Sequence, residues 1–386
     1  GDTAAARNII SGNDEEGVTI TGGAYDNIVR FNYIGTNPSG TSAIPNQNEG
    51  VDIDENSTLC GCIDATGNLI ADNLISGNGS SGIEIEDPST TGNIIVRNKI
   101  GTNAAGTAGI PNNDGGIYFG SGAYGNFVGS ASPSDANLIA FNVGAGIIVF
   151  DPGTENPFLG NSIHSNTGLG IDLEDDGVTA NDAGDPDIGA NTFQNFPVLS
   201  AVTAATCSAV HITATLDSVI ADGPYRIEFF ANTVADASNH GEGQIFLGST
   251  SHVGDNTPFS VVLPSPALAA GGLLAATATS QGGNGSTSEF SLNLVMPAVG
   301  ACGNGEAPKP PPPPPPVTQD LGLKGDTKAT YTLRDNQTEF HIFATLGENS
   351  NGGNASATMH LFIPSAAQCQ QIFVNGVEAP NACVSG

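Results

Sequence analysis

The sequence has no tryptophan and few bases: nine lysines and arginines stand against 39 aspartates and glutamates, giving a net charge of −30. Nucleic-acid binding rests on basic side chains that displace counterions from phosphate, so that class of partner is all but excluded. An anionic membrane surface is disfavoured for the same reason. No run of apolar residues approaches the roughly 18 needed to cross a bilayer, so no membrane insertion is expected. No signal-peptide pattern stands at Gly1. With no tryptophan and only six tyrosines, the platforms on which sugar rings usually stack are scarce. The acidity favours solubility and divalent cations.

What is present is glycine, 52 of 386 residues, and a repeat. Asn-x-Ile-x-x-Asn occurs from Asn8 to Asn13, Asn32 to Asn37, Asn73 to Asn78, Asn98 to Asn103, Asn137 to Asn142 and Asn161 to Asn166. Its third position is always isoleucine: Ile10, Ile34, Ile75, Ile100, Ile139, Ile163. A glycine followed by two apolar residues around a free position comes next, as in Gly50-Val51-Asp52-Ile53 and Gly82-Ile83-Glu84-Ile85. A third apolar run, such as Leu69-Ile70 or Ile94-Ile95, precedes the following copy. The first asparagines are spaced by 24, 41, 25, 39 and 24 residues, so short and long units alternate. Both long units carry a similar insertion, Ile34 to Asn46 and Ile100 to Asn112, expected to loop out from one face.

Strands this short cannot bury a face alone, but stacked coils can, each apolar position lying about 4.8 Å over its equivalent. Alternation puts isoleucine and valine inward and the residue between them outward. The paired asparagines suit turns and amide ladders, and the glycines suit sharp corners. The pattern resembles the right-handed parallel β-helix repeat family, whose best-known members are pectate lyases and related polysaccharide enzymes. It is most similar to a bacterial secreted or surface subgroup rich in N-x-I-S-G-N and I-G-T repeats. The resemblance covers residues 1–190 and implies about six coils of three strands; for function it is weak, because this fold hosts many activities.

Residues 195–303 read as seven short alternating strands, from near Val198 to Glu289–Val295, which suits an Ig-like or fibronectin-like β-sandwich. A proline-rich linker, 304–318, follows, and residues 319–386 read as a partial Ig-like sandwich, similar to bacterial surface modules. The expectation is therefore an all-β chain at the cell surface or outside the cell. Six cysteines fall into three local pairs, Cys60 with Cys62, Cys207 with Cys302, and Cys369 with Cys383, read as candidate disulfides. The two larger loops would each be worth roughly 3 to 5 kcal/mol in the chain-entropy model.

Candidate chemistry is sparse. Asp172, Asp175, Asp176, Asp182, Asp185 and Asp187 lie close together among glycines, a set of hard oxygen ligands that points to a calcium loop as much as to a solvated acidic one. Asp52, Asp54, Glu84, Glu86 and Asp172 recur on the outward side of the coils and form a candidate acidic stripe. A lyase would need a basic residue, yet residues 1–190 hold only Arg7, Arg30, Arg97 and Lys99, and Arg97 and Lys99 are expected to point to opposite faces of one strand segment. Asp175 and Asp176 have no supporting histidine or base in family-like order, and the six histidines show no metal spacing. A tyrosine patch from Tyr25, Tyr33, Tyr118 and Tyr124 is conceivable on the insertion face. The residues point to a non-catalytic structural or adhesive surface protein. Self-association, head to tail or by strand complementation, fits a repeat that starts mid-unit and a last module that lacks strands. The alternative is a protein that binds or degrades extracellular polysaccharide.

Overall fold

The computed structural model describes residues 3–54, 65–150, 152–206, 209–264, 272–282 and 285–296, and beyond them five short strands between Gln319 and Glu378. All six cysteines, and with them the disulfide pairings, lie outside the described residues. The chain divides into two compact units, Gly1–Pro308 and Lys309–Gly386. Regular structure among the described residues is β-strand, apart from short 3-10 segments.

Residues 9–173 coil into three parallel sheets, a β-helix. The Asn sheet runs through Ile9–Ile10, Tyr33–Ile34, Leu74–Ile75, Lys99–Ile100, Leu138–Ala140 and Ser162–His164. The Gly sheet has six strands, from Val18–Ile20 to Ile171–Leu173, and the third sheet has five, from Ile28–Arg30 to Phe158–Leu159. The isoleucine row is in register, with Ile10 beside Ile34, then Ile75, Ile100, Ile139 and Ile163. Ile34, Ile75, Ile100 and Ile139 are fully buried, Ile163 is 2% exposed, and Ile10 on the first coil is half-buried. Each such side chain contributes roughly 1.5–3 kcal/mol by leaving water.

Three asparagine ladders hold the corners. In the first, each asparagine donates its backbone N–H and its Nδ2 to the Oδ1 of the next, from Asn8 through Asn32, Asn73, Asn98 and Asn137 to Asn161. The second runs Asn13, Asn46, Asn78, Asn112, Asn142, Asn166. The third, Asn27, Asn68, Asn93, Asn126, Asn156, ends on Asn191 of the exit segment. In the long units, Asn37 and Asn103 are therefore not ladder members. They accept backbone N–H groups from Thr41 and Thr107 inside small hairpins, and the ladder resumes at Asn46 and Asn112 after each insertion. The row glycines serve close approach rather than sharp corners: a Cβ on Gly50 would lie 2.6 Å from the Gly82 oxygen, and one on Gly82 would lie 2.7 Å from that of Gly116.

The sandwich in the same unit pairs a three-stranded antiparallel sheet, Val198–Thr206, Ala209–Thr215 and Phe259–Pro264, with a four-stranded one, Ile245–His252, Tyr225–Asn232, Leu273–Ser280 and Leu294–Val295. Val210, Ile212, Tyr225, Ile227, Phe229 and Leu274 fill the space between them. Where a strand over Glu289–Val295 was expected, only Leu294–Val295 is regular. Upstream of it, the Ser288 and Ser291 hydroxyls accept the Ala278 and Ala276 N–H groups, which turns Glu289 and Phe290 toward the coil.

The sandwich closes the last coil. Phe230, Ala275 and Phe290 join the coil's own apolar core. Ile163 and Gly243 exchange backbone hydrogen bonds of 3.0 and 2.7 Å. Three buried glutamates then take the edge donors. Glu228 accepts the Gly160 N–H at 2.8 Å, Glu242 accepts those of Ser165 and Asn166, and Glu289 accepts those of Leu173 and Thr179 at 3.1 and 3.0 Å. Unsatisfied backbone donors at the end of a dry coil are costly, so these carboxyls stand where the next coil's oxygens would be.

In the second unit, Gln319–Asp320, Ala329–Thr332 and His341–Ala344 form an antiparallel sheet, and Phe373–Val374 pairs with Val377–Glu378. The expected strand Ala357–Phe362 lies outside the described residues.

Candidate functional site

The outer faces of the coil differ sharply. On the Gly sheet the outward row reads Thr19, Asp52, Glu84, Tyr118, Ile148, Asp172. Asp52 and Glu84 are adjacent, but Tyr118 and the buried Ile148 separate them from Asp172, so the expected stripe is confined to the first coils. Burial pushes the Asp52 carboxyl up to about 7, helped by Asp54, Glu16, Glu49 and Glu86. Burial, and then the neighbouring Glu49 with which it shares a hydrogen bond, push Glu84 up to about 9. Two carboxyls this close hold a proton between them rather than two negative charges.

Of the six acids read as a calcium loop, the structure brings together Asp182, Asp185 and Asp187, whose carboxylate oxygens lie within 4.8 Å of one another. Asp185 is buried and its oxygens already serve the chain: Gln194 Nε2 donates at 2.8 Å, Asn195 N donates at 3.2 Å, and the Ser218 hydroxyl donates as well. These bonds tie the exit segment to the loop after the second strand of the sandwich. Asp172 stands apart, on the Gly sheet, where burial raises it to about 6. Asp175, also raised by burial, feels Asp114 and Asp176.

The corner where the third sheet meets the Asn sheet carries the opposite charge. Arg7, Arg97 and Lys99 line one groove together with Phe31, Tyr33 and Leu74. The Arg7 guanidinium lies 4.1 Å from the centre of the Tyr33 ring, a cation–π distance. Arg30 reaches the same corner, 5.5 Å from the Phe31 ring that forms its wall. Three of the four lysines and arginines of the coil thus line the groove, and the fourth lies against its Phe31 wall. Arg97 and Lys99, expected on opposite faces, both line this groove. Arg97 has φ +58°, as do, within a degree or two, Asp72 and Phe31 in neighbouring coils, so the chain turns there between the third sheet and the Asn sheet. Arg97 is held by Asp72 at 2.9 and 3.1 Å and by Asp135 at 2.9 Å, and Lys99 Nζ donates to the Ala104 carbonyl at 2.5 Å. Ala104 belongs to an insertion, and its N–H bonds Gly40 of the other, so the two stacked insertions form the far rim.

Beside this corner the third sheet shows an apolar row in register, Ile28, Leu69, Ile94 and Phe127, of which Ile28, Ile94 and Phe127 are 60, 41 and 46% exposed. A second depression lined by Leu69, Ile94 and Phe127 shares Arg97 with the first. Tyr25 and Tyr124 are also exposed, while Tyr118 belongs to the acidic face. The whole surface is a ribbon, apolar along one side and cationic along the other. A search of protein-family models and of curated proteins finds no match for this chain.

Proposed function

We propose that this chain is a non-catalytic, extracellular adhesive protein that holds an anionic polysaccharide along the cationic corner of its coil. One observation carries the reading: in a protein of net charge −30, three of the coil's four lysines and arginines line one aromatic-walled groove. An acidic surround with one positive cleft focuses anions into that cleft. Sugar rings present apolar faces that suit Tyr33, Phe31 and the neighbouring Phe127, and carboxylate or sulfate groups suit Arg7 and Lys99. The proton-sharing carboxyls belong to the Gly sheet, which does not meet this corner, and the groove's own Asp72 and Asp135 are bound to Arg97. That separation favours holding over cleaving. The sandwich, which we read as Ig-like, then serves as a rigid mount. A filament through stacked coil ends has less support, because the sandwich already covers the last coil.

The test is binding to immobilised acidic polysaccharides against a neutral glucan, with product release followed in parallel. Saturable binding to the acidic polymers is expected, weakening between about 50 and 500 mM salt as the charges are screened, with no product. Lys99→Glu is expected to weaken it by at least tenfold. Equal binding to the neutral glucan, or none to either, would overturn the assignment, and steady product release would overturn its non-catalytic part.

A further inference from the structure

We propose that the junction between the last coil and the sandwich is a pH-operated latch, closed in mild acid and loosened in mild alkali. The latch consists of Glu242 and Glu289, with Glu228 as a fixed third point. Glu228 is fully buried but has a cation at hand, Arg226 at 2.8 Å on the same strand. Glu242 and Glu289 are 7 and 2% exposed, and the charges that reach them are acidic: Asp236 for Glu242, and Asp172 of the Gly sheet for Glu289. Glu242 also has one buried oxygen, Oε1, with no hydrogen-bond partner, which leaves room for a proton and none for a well-solvated charge. Both close the coil by accepting edge N–H groups. Glu242 does so with its other oxygen alone, which the neutral acid can supply as its carbonyl, whereas Glu289 spreads its bonds over both oxygens, Leu173 on Oε1 and Thr179 on Oε2, so that protonation weakens one of them.

Burial, the largest influence on each, moves Glu242 up to about 7 and Glu289 up to about 8, and the N–H bonds they accept offset only part of that rise. In an opened junction both would return to about 4.3. The closed form therefore binds protons that the open form releases. Closure is fully favoured below about pH 4, weakens as pH rises, and is lost through the closed-state values, near 7 and 8. His164, on the last strand of the Asn sheet, is lowered by burial and acts in the opposite sense, opposing closure only as pH falls through its own value.

Amide hydrogen exchange of the whole chain from pH 5.5 to 8.5, corrected for intrinsic rates, tests this. The Ser165, Asn166, Leu173 and Thr179 amides should open more often by up to roughly tenfold per pH unit for each carboxyl released. Leu138–Ala140, one coil further in, should show a smaller change. In the double variant Glu242→Gln, Glu289→Gln, which cannot ionise, the rise with pH should vanish, although the loss of one acceptor oxygen at Glu289 lowers protection of Leu173 or Thr179 equally at every pH. Protection that is flat with pH in the native chain, or an equal rise in the double variant, would overturn the latch. Should the double variant not fold, Glu242→Gln alone, which keeps the bonded oxygen, carries the comparison at Ser165 and Asn166.

Discussion

The coil and the sandwich bury apolar side chains alike but treat their polar backbone differently. The sandwich joins its strands antiparallel, and along one edge the irregular segment 286–293 stands in for most of a strand. The coil repeats one solution at every level: an asparagine amide at each corner bonds the coil on either side, so Asn98 donates to Asn137 and to Ile70 while accepting from Asn73. Repetition has a cost at the end of the series, where there is no next asparagine, and there the sandwich lends Glu228, Glu242 and Glu289. A solenoid's stability is a sum of neighbour contacts, so its terminal contact matters as much as any internal one.

Three measurements would break or sharpen this contrast. The largest effect is expected from Asn98→Ala, which orphans the buried Asn73 N–H at roughly 1–3 kcal/mol and leaves Asn73 Nδ2 only the Val29 carbonyl. Asn103→Ala, in the exposed insertion, should cost well under about 1 kcal/mol. Equal losses in denaturant titration would show that the ladders are ornamental. Next, Ile100→Ala in the coil and Ile212→Ala in the sandwich should each cost about 2–5 kcal/mol, and both should shift one shared thermal transition, because Phe230 and Phe290 sit in the coil core. Two separate transitions, each moved by one substitution alone, would mean the sandwich does not close the coil. The smallest effect belongs to the acidic face. The Glu84 carboxyl is raised to about 9, so its contribution is present below about pH 4, weakens as pH rises and is lost through about 9. Glu84→Gln should flatten the fall in melting temperature between pH 6 and pH 9, and an unchanged slope would place that fall elsewhere, in the junction.

Much of the coil was legible because its information is local. The isoleucine row and the Gly-apolar rows follow from period alone, and both are in register. The second ladder was only half legible. Asn37 and Asn103 fit the motif, but the amides that count are Asn46 and Asn112, and the repeated Pro45-Asn46 and Pro111-Asn112 were the signal for them. The third ladder, through Asn68, Asn93 and Asn126, sat one residue before each third apolar run and went unnoticed. The cationic corner could not be read, since Arg7 and Lys99 are far apart in sequence and the turn at Arg97 lies between two sheets whose meeting only the fold reveals. The capping glutamates were hidden for a related reason: nothing in Glu242 or Glu289 distinguishes a buried acceptor from a surface acid until the partner surface is known.

The two insertions leave and rejoin the coil at fixed points. Each closes on itself as a hairpin, Thr36 to Ala43 or Thr102 to Gly109, before the chain returns at Asn46 or Asn112. Everything between is free of the wound register. A lineage could lengthen, trim or rewrite these tips without unwinding a single turn, so the molecule behaves as a spindle with exchangeable teeth, set along the rim of the groove they overhang.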